Sequence, residues 1–175
     1  MLVACQPPSS EQPQQPTTTD EAPLLTLSEL LAASDIQDAL SDAAREKDKD
    51  AFRDIQTLLL QAASEVGLDD SEQALISGEN GVIFLEFQGM RINFNHDFQK
   101  AFFSFGDIQA VYQKYPAFEE LKARTEALVE NRDKLIDAIK ADLEADGIDT
   151  SSSLDEARKL WLQLMREQGL DEIAL

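Results

Sequence analysis

Few side chains in this sequence could carry out catalysis or hold a metal ion. The chain has one histidine, His96, and one cysteine, Cys5. A catalytic triad needs a histidine between its nucleophile and its carboxylate, and histidine-paired metal sites need at least two. Acidic pairs are plentiful among 34 carboxylates, but none has the apolar surroundings that suit acid–base catalysis. A glycine-rich phosphate loop is also missing. We therefore predict no enzyme activity, no metal site and no cofactor.

The segment from Asp142 to Asp149 has one feature of a calcium loop. Oxygen-bearing side chains stand at alternate positions, at Asp142, Glu144 and Asp146. A calcium loop between two helices also needs a bidentate glutamate at its twelfth position, where this sequence has Ser153. We interpret the segment as an acidic helix end followed by a solvated linker.

A modification site is predicted at the beginning of the chain. Leu2-Val3-Ala4-Cys5 places an aliphatic residue, a second aliphatic residue and a small residue directly before the cysteine. This tetrapeptide resembles the lipobox of bacterial lipoproteins. The resemblance implies that the Cys5 sulfur receives a diacylglycerol and that a peptidase cleaves just before it. Gln6 follows the cysteine, whereas in Gram-negative lipoproteins an aspartate there favours inner-membrane retention, so the resemblance favours the outer membrane.

Residues 6–23 have the composition of a tether. They hold five of the six prolines, separated mainly by Gln, Ser and Thr, and cannot bury a core. A coil of about 18 residues has an average reach of roughly 20–25 Å. We divide the chain into a residual lipoprotein signal at 1–5, a disordered tether at 6–23 and a single domain at 24–175. The basic and apolar parts of such a signal do not precede Leu2, and we expect them in upstream codons.

The domain is predicted to be mostly helical, because apolar residues recur at spacings of three and four. Gly67 is expected to end one helix in a left-handed conformation, and Pro116 suits a first helical turn. The predicted helices begin near Leu24, at the Ser34/Gln37 capping box, at Ala51, near Ile108, at Ala117 (the longest, to Ala145) and at the Ser153/Glu156 capping box.

The pattern changes between residues 79 and 105. Val82 to Gln88 is β-branched and aromatic, and Met90 to Asn95 alternates apolar and polar residues, which predicts a β-hairpin. Lys100 to Phe105 fits either a third strand or, with Phe98, a helix, and we favour the strand. The predicted fold class is therefore α+β, mostly helical, with several helices packed on a two- to three-stranded antiparallel β-meander.

Seven of the nine phenylalanines fall between residues 84 and 105. This density is typical of a small sheet covered by helices on both faces. The alternative is that one face forms an exposed apolar patch that binds a protein or an apolar ligand. The residues that would form this patch are Phe84, Phe87, Phe94, Phe102 and Phe105.

The net charge of −19 excludes whole classes of partner. A protein that binds a nucleic-acid backbone needs a basic patch, and an anionic bilayer surface would repel this domain. We therefore predict a non-enzymatic lipoprotein at the periplasmic face of the outer membrane. Its partners would be the bacterial membrane, through the lipid anchor, and a protein or an apolar ligand. The alternative, if the lipobox match is accidental, is a cytoplasmic acidic protein that mimics nucleic acid and inhibits a basic partner.

Overall fold

The computed structural model describes residues 25–170, and across these residues it contains helices and turns but no β-strand. The elements in chain order are α1 Leu27–Ala32, α2 Ser34–Glu46, α3 Lys49–Val66, α4 Asp70–Leu75, α5 Gly78–Phe103, α6 Ile108–Lys114, a 3₁₀ helix Pro116–Leu121, α7 Lys122–Ala145 and α8 Thr150–Glu167.

The α+β prediction is therefore wrong. The residues assigned to a hairpin and a third strand lie in α5, a helix of 26 residues that ends at Phe103. Different faces of this helix are buried in its first and second halves. Its apolar side chains therefore point in all directions, and its buried residues do not follow one face. A short run of β-branched and aromatic residues does not distinguish a strand from a buried helix.

Two hydrophobic clusters make up the core, and α5 takes part in both. Its first half contributes Val82 and Leu85 to a cluster with α1, α2 and α3. Its second half contributes Phe94, Phe98 and Phe102 to an aromatic cluster with α6, the 3₁₀ helix, α7 and α8. The central helix therefore couples the two halves of the described chain.

The backbones of α2 and α5 meet at Gly89. A Cβ atom at this position would lie 2.4 Å from the Leu40 carbonyl oxygen and 2.9 Å from the Ala44 Cβ. No real side chain tolerates contacts that short, so the crossing requires glycine. Gly89, which separates the two runs predicted to be strands, thus marks a close approach of two helices.

Four of the eight α-helices in the described part of the chain have an aspartate cap at the N-terminus. The side chains of Asp48, Asp69, Asp107 and Asp149 accept hydrogen bonds from backbone N–H groups of the first turns of α3, α4, α6 and α8. Asp149, the last residue of the candidate calcium segment, thus caps α8. The predicted left-handed Gly67 is confirmed, with φ +76° at the end of α3.

Both predicted capping boxes are wrong. Helix α2 follows Ala33, which makes no side-chain cap, and Ser153 lies buried inside α8, where its hydroxyl donates to Glu144 at 2.8 Å. The capping box that the structure contains joins Thr26 and Glu29 at α1. Helix–helix packing decided which of these short polar patterns begins a helix.

The predicted long helix is divided in two. Pro116 lies in a first helical turn as expected, but that turn opens a 3₁₀ helix that is irregular at Phe118, with φ −108° and ψ 18°. Helix α7 begins only at Lys122 and ends at Ala145, as predicted. The longest element is α5 rather than this segment.

Candidate docking surface

The predicted lipid-attachment residue, Cys5, and the tether at 6–23 lie outside the described residues. The chain is described from Leu25, just ahead of the capped first turn of α1. Lipid attachment at Cys5 therefore stays a prediction from sequence.

Two of the five candidate phenylalanines belong to the core instead of a surface patch. Phe94 is fully buried and Phe102 is 5% exposed. Their rings pack against other buried aromatics. The ring centroids of Phe94 and Phe118 are 4.9 Å apart, and those of Phe102 and Trp161 are 5.7 Å apart. A partner cannot reach these side chains in the folded protein.

Phe84 and Phe105 are half-buried, and they lie in different parts of the structure. Phe84 packs on the first hydrophobic cluster. Phe105 follows the end of α5 in a left-handed conformation, with φ +57°, and its ring lies beneath the guanidinium groups of Arg132 and Arg158 at 5.0 and 4.8 Å. The five phenylalanines therefore do not form one patch, and only Phe87 is exposed among them.

Phe87 instead belongs to an exposed apolar row on α5 that the hairpin prediction concealed. Ile83 is 61% exposed, Phe87 39% and Met90 37%. Spacings of four and three residues place these side chains on one face of the helix. We call this row the α5 stripe. Its signal in the sequence is the i, i+4, i+7 spacing, which becomes visible once the segment is treated as a helix.

The α5 stripe is continuous with the aromatic core. The Phe87 ring lies 5.2 Å from the Phe118 ring, which in turn stacks on Phe94. The stripe is therefore the exposed edge of a packed aromatic cluster. Because Phe87 already packs on Phe118, covering it would order few further rotamers of this side chain.

At Met90 the stripe borders a hollow of about 240 Å³ between α2, α3 and α5. Met90, Phe52 and Ala44 supply its apolar lining. Three charged side chains surround it: Lys47, Lys49 and Glu86. An apolar side chain of a partner that covers the stripe could enter this hollow beside Met90.

The other chemistry-bearing residues form no site with these. His96 is exposed, and its Nδ1 lies 3.4 Å from an Asp97 oxygen. Asp97 in turn accepts hydrogen bonds from Lys114 at 2.7 Å and Tyr115 at 2.9 Å, so it serves to join α5 to α6. Within residues 25–170, no three His, Cys, Asp or Glu side chains are grouped in a way that could hold a metal ion.

No helix within the described part of the chain is long and apolar enough to cross a bilayer. Comparison of the chain with protein-family models, with curated proteins and with solved structures gives no match.

Proposed function

We propose that this protein is a non-enzymatic binding protein, held at the periplasmic face of the outer membrane by a lipid on Cys5. In this proposal the α5 stripe binds an amphipathic helix of a partner protein. The observation that carries the binding role is the row Ile83, Phe87 and Met90, exposed on one face of the central helix.

The stripe supports binding because covering it removes apolar surface from water. Each Å² of apolar surface that is buried contributes about 25 cal/mol. Single exposed apolar residues are ordinary on soluble proteins, but three neighbours on one helix face form a patch. An amphipathic helix laid along α5 would present its own apolar residues at the same spacing.

Charge favours a basic partner. The chain carries 34 acidic and 15 basic side chains. The charges beside the hollow are mixed, since Lys47 and Lys49 lie there with Glu86. On the other side of the stripe the exposed Glu119, which pairs with Lys122, and Glu120 follow Phe118. Lysine and arginine residues beside the apolar face of the partner would therefore meet carboxylates, which speeds association and selects against acidic partners.

The lipid and the stripe would have separate roles. Acyl chains bind a bilayer with about 0.8 kcal/mol per buried methylene, so the two chains of a diacylglycerol on Cys5 would anchor the protein firmly. The acidic domain itself has no affinity for an anionic bilayer. A tether of about 18 residues, with a reach of roughly 20–25 Å, would leave the stripe free to bind a partner away from the membrane surface.

The anchor is tested by expressing the gene with its upstream codons in a Gram-negative bacterium that is fed labelled palmitate. We expect label in the protein and its recovery in the outer-membrane fraction, and we expect both to be lost in Cys5→Ser. An unlabelled wild-type protein in the soluble fraction would contradict the anchor and would favour the cytoplasmic alternative.

The docking surface is tested with two synthetic helical peptides of the same apolar pattern, one with lysines and one with glutamates at the polar positions. We expect the full chain to bind the lysine peptide and not the glutamate peptide. Ile83→Ser combined with Phe87→Ser should raise the Kd about tenfold, as the loss of central apolar contacts does.

Leu58 offers a matched control, because it is 60% exposed on α3 and does not belong to the stripe. Leu58→Ser should leave the Kd for the lysine peptide unchanged. Equal binding of both peptides would contradict the preference for a basic partner. An equal loss of affinity in Leu58→Ser would rule out the stripe as the docking surface.

A further inference from the structure

A second concavity, with a mixed apolar and polar lining, lies between α1, α2, α4 and α5. It encloses about 430 Å³, within the range of small-molecule sites. We call it the α1 groove. Leu27 and Leu40 are buried at its base, and the half-buried Leu31, Phe84 and Ile92 form its sides. The apolar side of this open groove suits a short hydrocarbon chain, and the rest of its lining is polar.

Two charged side chains line the α1 groove, and only one of them makes a hydrogen bond within the described part of the chain. Glu72 accepts a hydrogen bond from the Leu27 backbone N–H at 3.2 Å, which fixes the start of α1 against α4. Arg91 is exposed and makes no ion pair or hydrogen bond with any residue in the described part of the chain. Its guanidinium is therefore available to a ligand.

An amide lies beside this guanidinium. Gln88 precedes Arg91 by three residues, so the two side chains share one face of α5, and both line the groove. Gln88 is half-buried, and its side chain has no hydrogen-bond partner within residues 25–170. A ligand oxygen at this end of the groove would thus meet a charged donor and a neutral one.

We propose that the α1 groove binds a small amphiphile with a carboxylate headgroup. The carboxylate would accept hydrogen bonds from Arg91 and Gln88, and the apolar chain would lie along Leu31, Phe84 and Ile92. The planar guanidinium matches the two oxygens of a carboxylate, and charge-assisted hydrogen bonds of this kind are the strong ones. This site lies apart from the α5 stripe and does not depend on the function proposed for it.

The surrounding charge limits what the carboxylate contributes. Residues 24–78 carry 12 acidic and 4 basic side chains, a net charge of −8, which opposes the approach of an anion. The apolar contacts therefore supply most of the affinity, and Arg91 supplies the choice of headgroup. A ligand with an ammonium headgroup would place a second positive charge next to the guanidinium.

The test compares octanoate, octan-1-ol and octylamine, which share one chain length and differ in headgroup. Each is titrated into the full-length protein and followed by the amide NMR shifts of α1 and α5. We expect octanoate to bind with a Kd about tenfold lower than octan-1-ol, and octylamine to bind most weakly. Arg91→Gln should remove the preference for octanoate and leave the Kd for octan-1-ol unchanged.

Two further variants make the result decisive. Arg124→Gln is the matched control, since Arg124 is exposed on α7 and has no ion pair among the described residues, and it should change nothing. Ser28→Trp fills the groove from its exposed rim and should abolish binding of all three compounds. Equal Kd values for octanoate and octan-1-ol, tighter binding of octylamine, or no saturable shift with any compound would overturn the proposal.

Discussion

Ser41 and Asn93 join α2 to α5 by two reciprocal hydrogen bonds inside the core. The Ser41 hydroxyl donates to the Asn93 Oδ1 at 2.8 Å, and the Asn93 Nδ2 donates to the Ser41 carbonyl oxygen at 2.9 Å. Both residues are buried, at 6% and 4% exposure. Because both polar groups of the Asn93 side chain are satisfied, the pair fixes how the two helices are aligned along each other.

The losses from replacing the two members of this pair should not be additive, so the double variant should cost less than the sum of the single variants. Asn93→Ala leaves the Ser41 hydroxyl buried without its partner, and we predict a loss of about 2 kcal/mol in the free energy of unfolding. Ser41→Ala should cost about 1 kcal/mol. Urea denaturation of the two single variants and the double variant gives the coupling energy. Additive losses would show that the two side chains do not interact.

Gly89→Ala tests the close crossing of α2 and α5. Alanine is a better helix former than glycine by about 1 kcal/mol, so an unobstructed site would gain stability. At Gly89 the new methyl group would lie 2.4 Å from the Leu40 carbonyl oxygen, and the helices would have to separate. We predict a net loss of about 2 kcal/mol, by overpacking, in urea denaturation.

Asn80→Ala is the matched control for this prediction, because Asn80 is exposed in the same helix. It should stabilise the protein slightly, by less than about 1 kcal/mol. A stabilised Gly89→Ala variant would mean that the two backbones lie farther apart than the structure places them.

Arg132 carries a guanidinium group into the aromatic cluster. It is 7% exposed, donates to the Phe102 carbonyl oxygen at 2.6 Å, and lies over the rings of Phe102 and Phe105. A cation at the last turn of α5 also suits the helix dipole. Its ion pair with Asp133, at 2.8 Å, balances the charge.

Both Arg132→Met and Arg132→Lys should destabilise the protein, by about 2 kcal/mol or more, in thermal and urea denaturation. Methionine keeps the apolar stem and loses the donor, and lysine keeps the charge and loses the planar group that stacks on the rings. The exposed Arg124 provides the control, since Arg124→Met should change stability by less than about 0.5 kcal/mol. If Arg132→Lys left the free energy of unfolding unchanged, charge alone would matter at this position.

Asp97 should make the stability of the fold depend on pH in the acidic range. Burial raises the pKa of the Asp97 carboxyl, but hydrogen bonds from Lys114 and Tyr115 outweigh burial and hold the pKa below its ordinary value. A carboxylate with a lowered pKa in the folded state stabilises that state above its ordinary pKa. This contribution is lost as the pH falls through the folded-state pKa.

We therefore predict that Asp97→Asn lowers the free energy of unfolding by about 1 kcal/mol at neutral pH. The difference from wild type should shrink as the pH falls from the ordinary carboxyl pKa toward the lowered one. Urea denaturation at a series of pH values measures it. Asp42→Asn removes an exposed ion pair with Arg45 and should cost at most about 0.5 kcal/mol. A constant difference at every pH would mean that the Asp97 charge does not stabilise the fold.

The Phe-rich segment shows why the candidate site was only partly predictable. Its density of phenylalanine drew attention to this segment, and Phe87 lies on the exposed stripe. The pattern could not reveal that Phe94 and Phe102 are core residues, because a helix buried on several sides has no single apolar face from which a period can be read. Ile83 and Met90 were missed because a strand assignment changes which residues share a face.

The sequence by itself determined the local features that depend on a few neighbouring residues. The apolar spacing of α3, its left-handed end at Gly67, the helical turn at Pro116 and the end of α7 at Ala145 all follow from local sterics, hydrogen bonding and periodicity. Tertiary structure alone decided that residues 78–103 form one central helix. The β-branched and aromatic side chains of that segment favour strands locally, but two hydrophobic clusters and the close approach at Gly89 stabilise the helix more strongly.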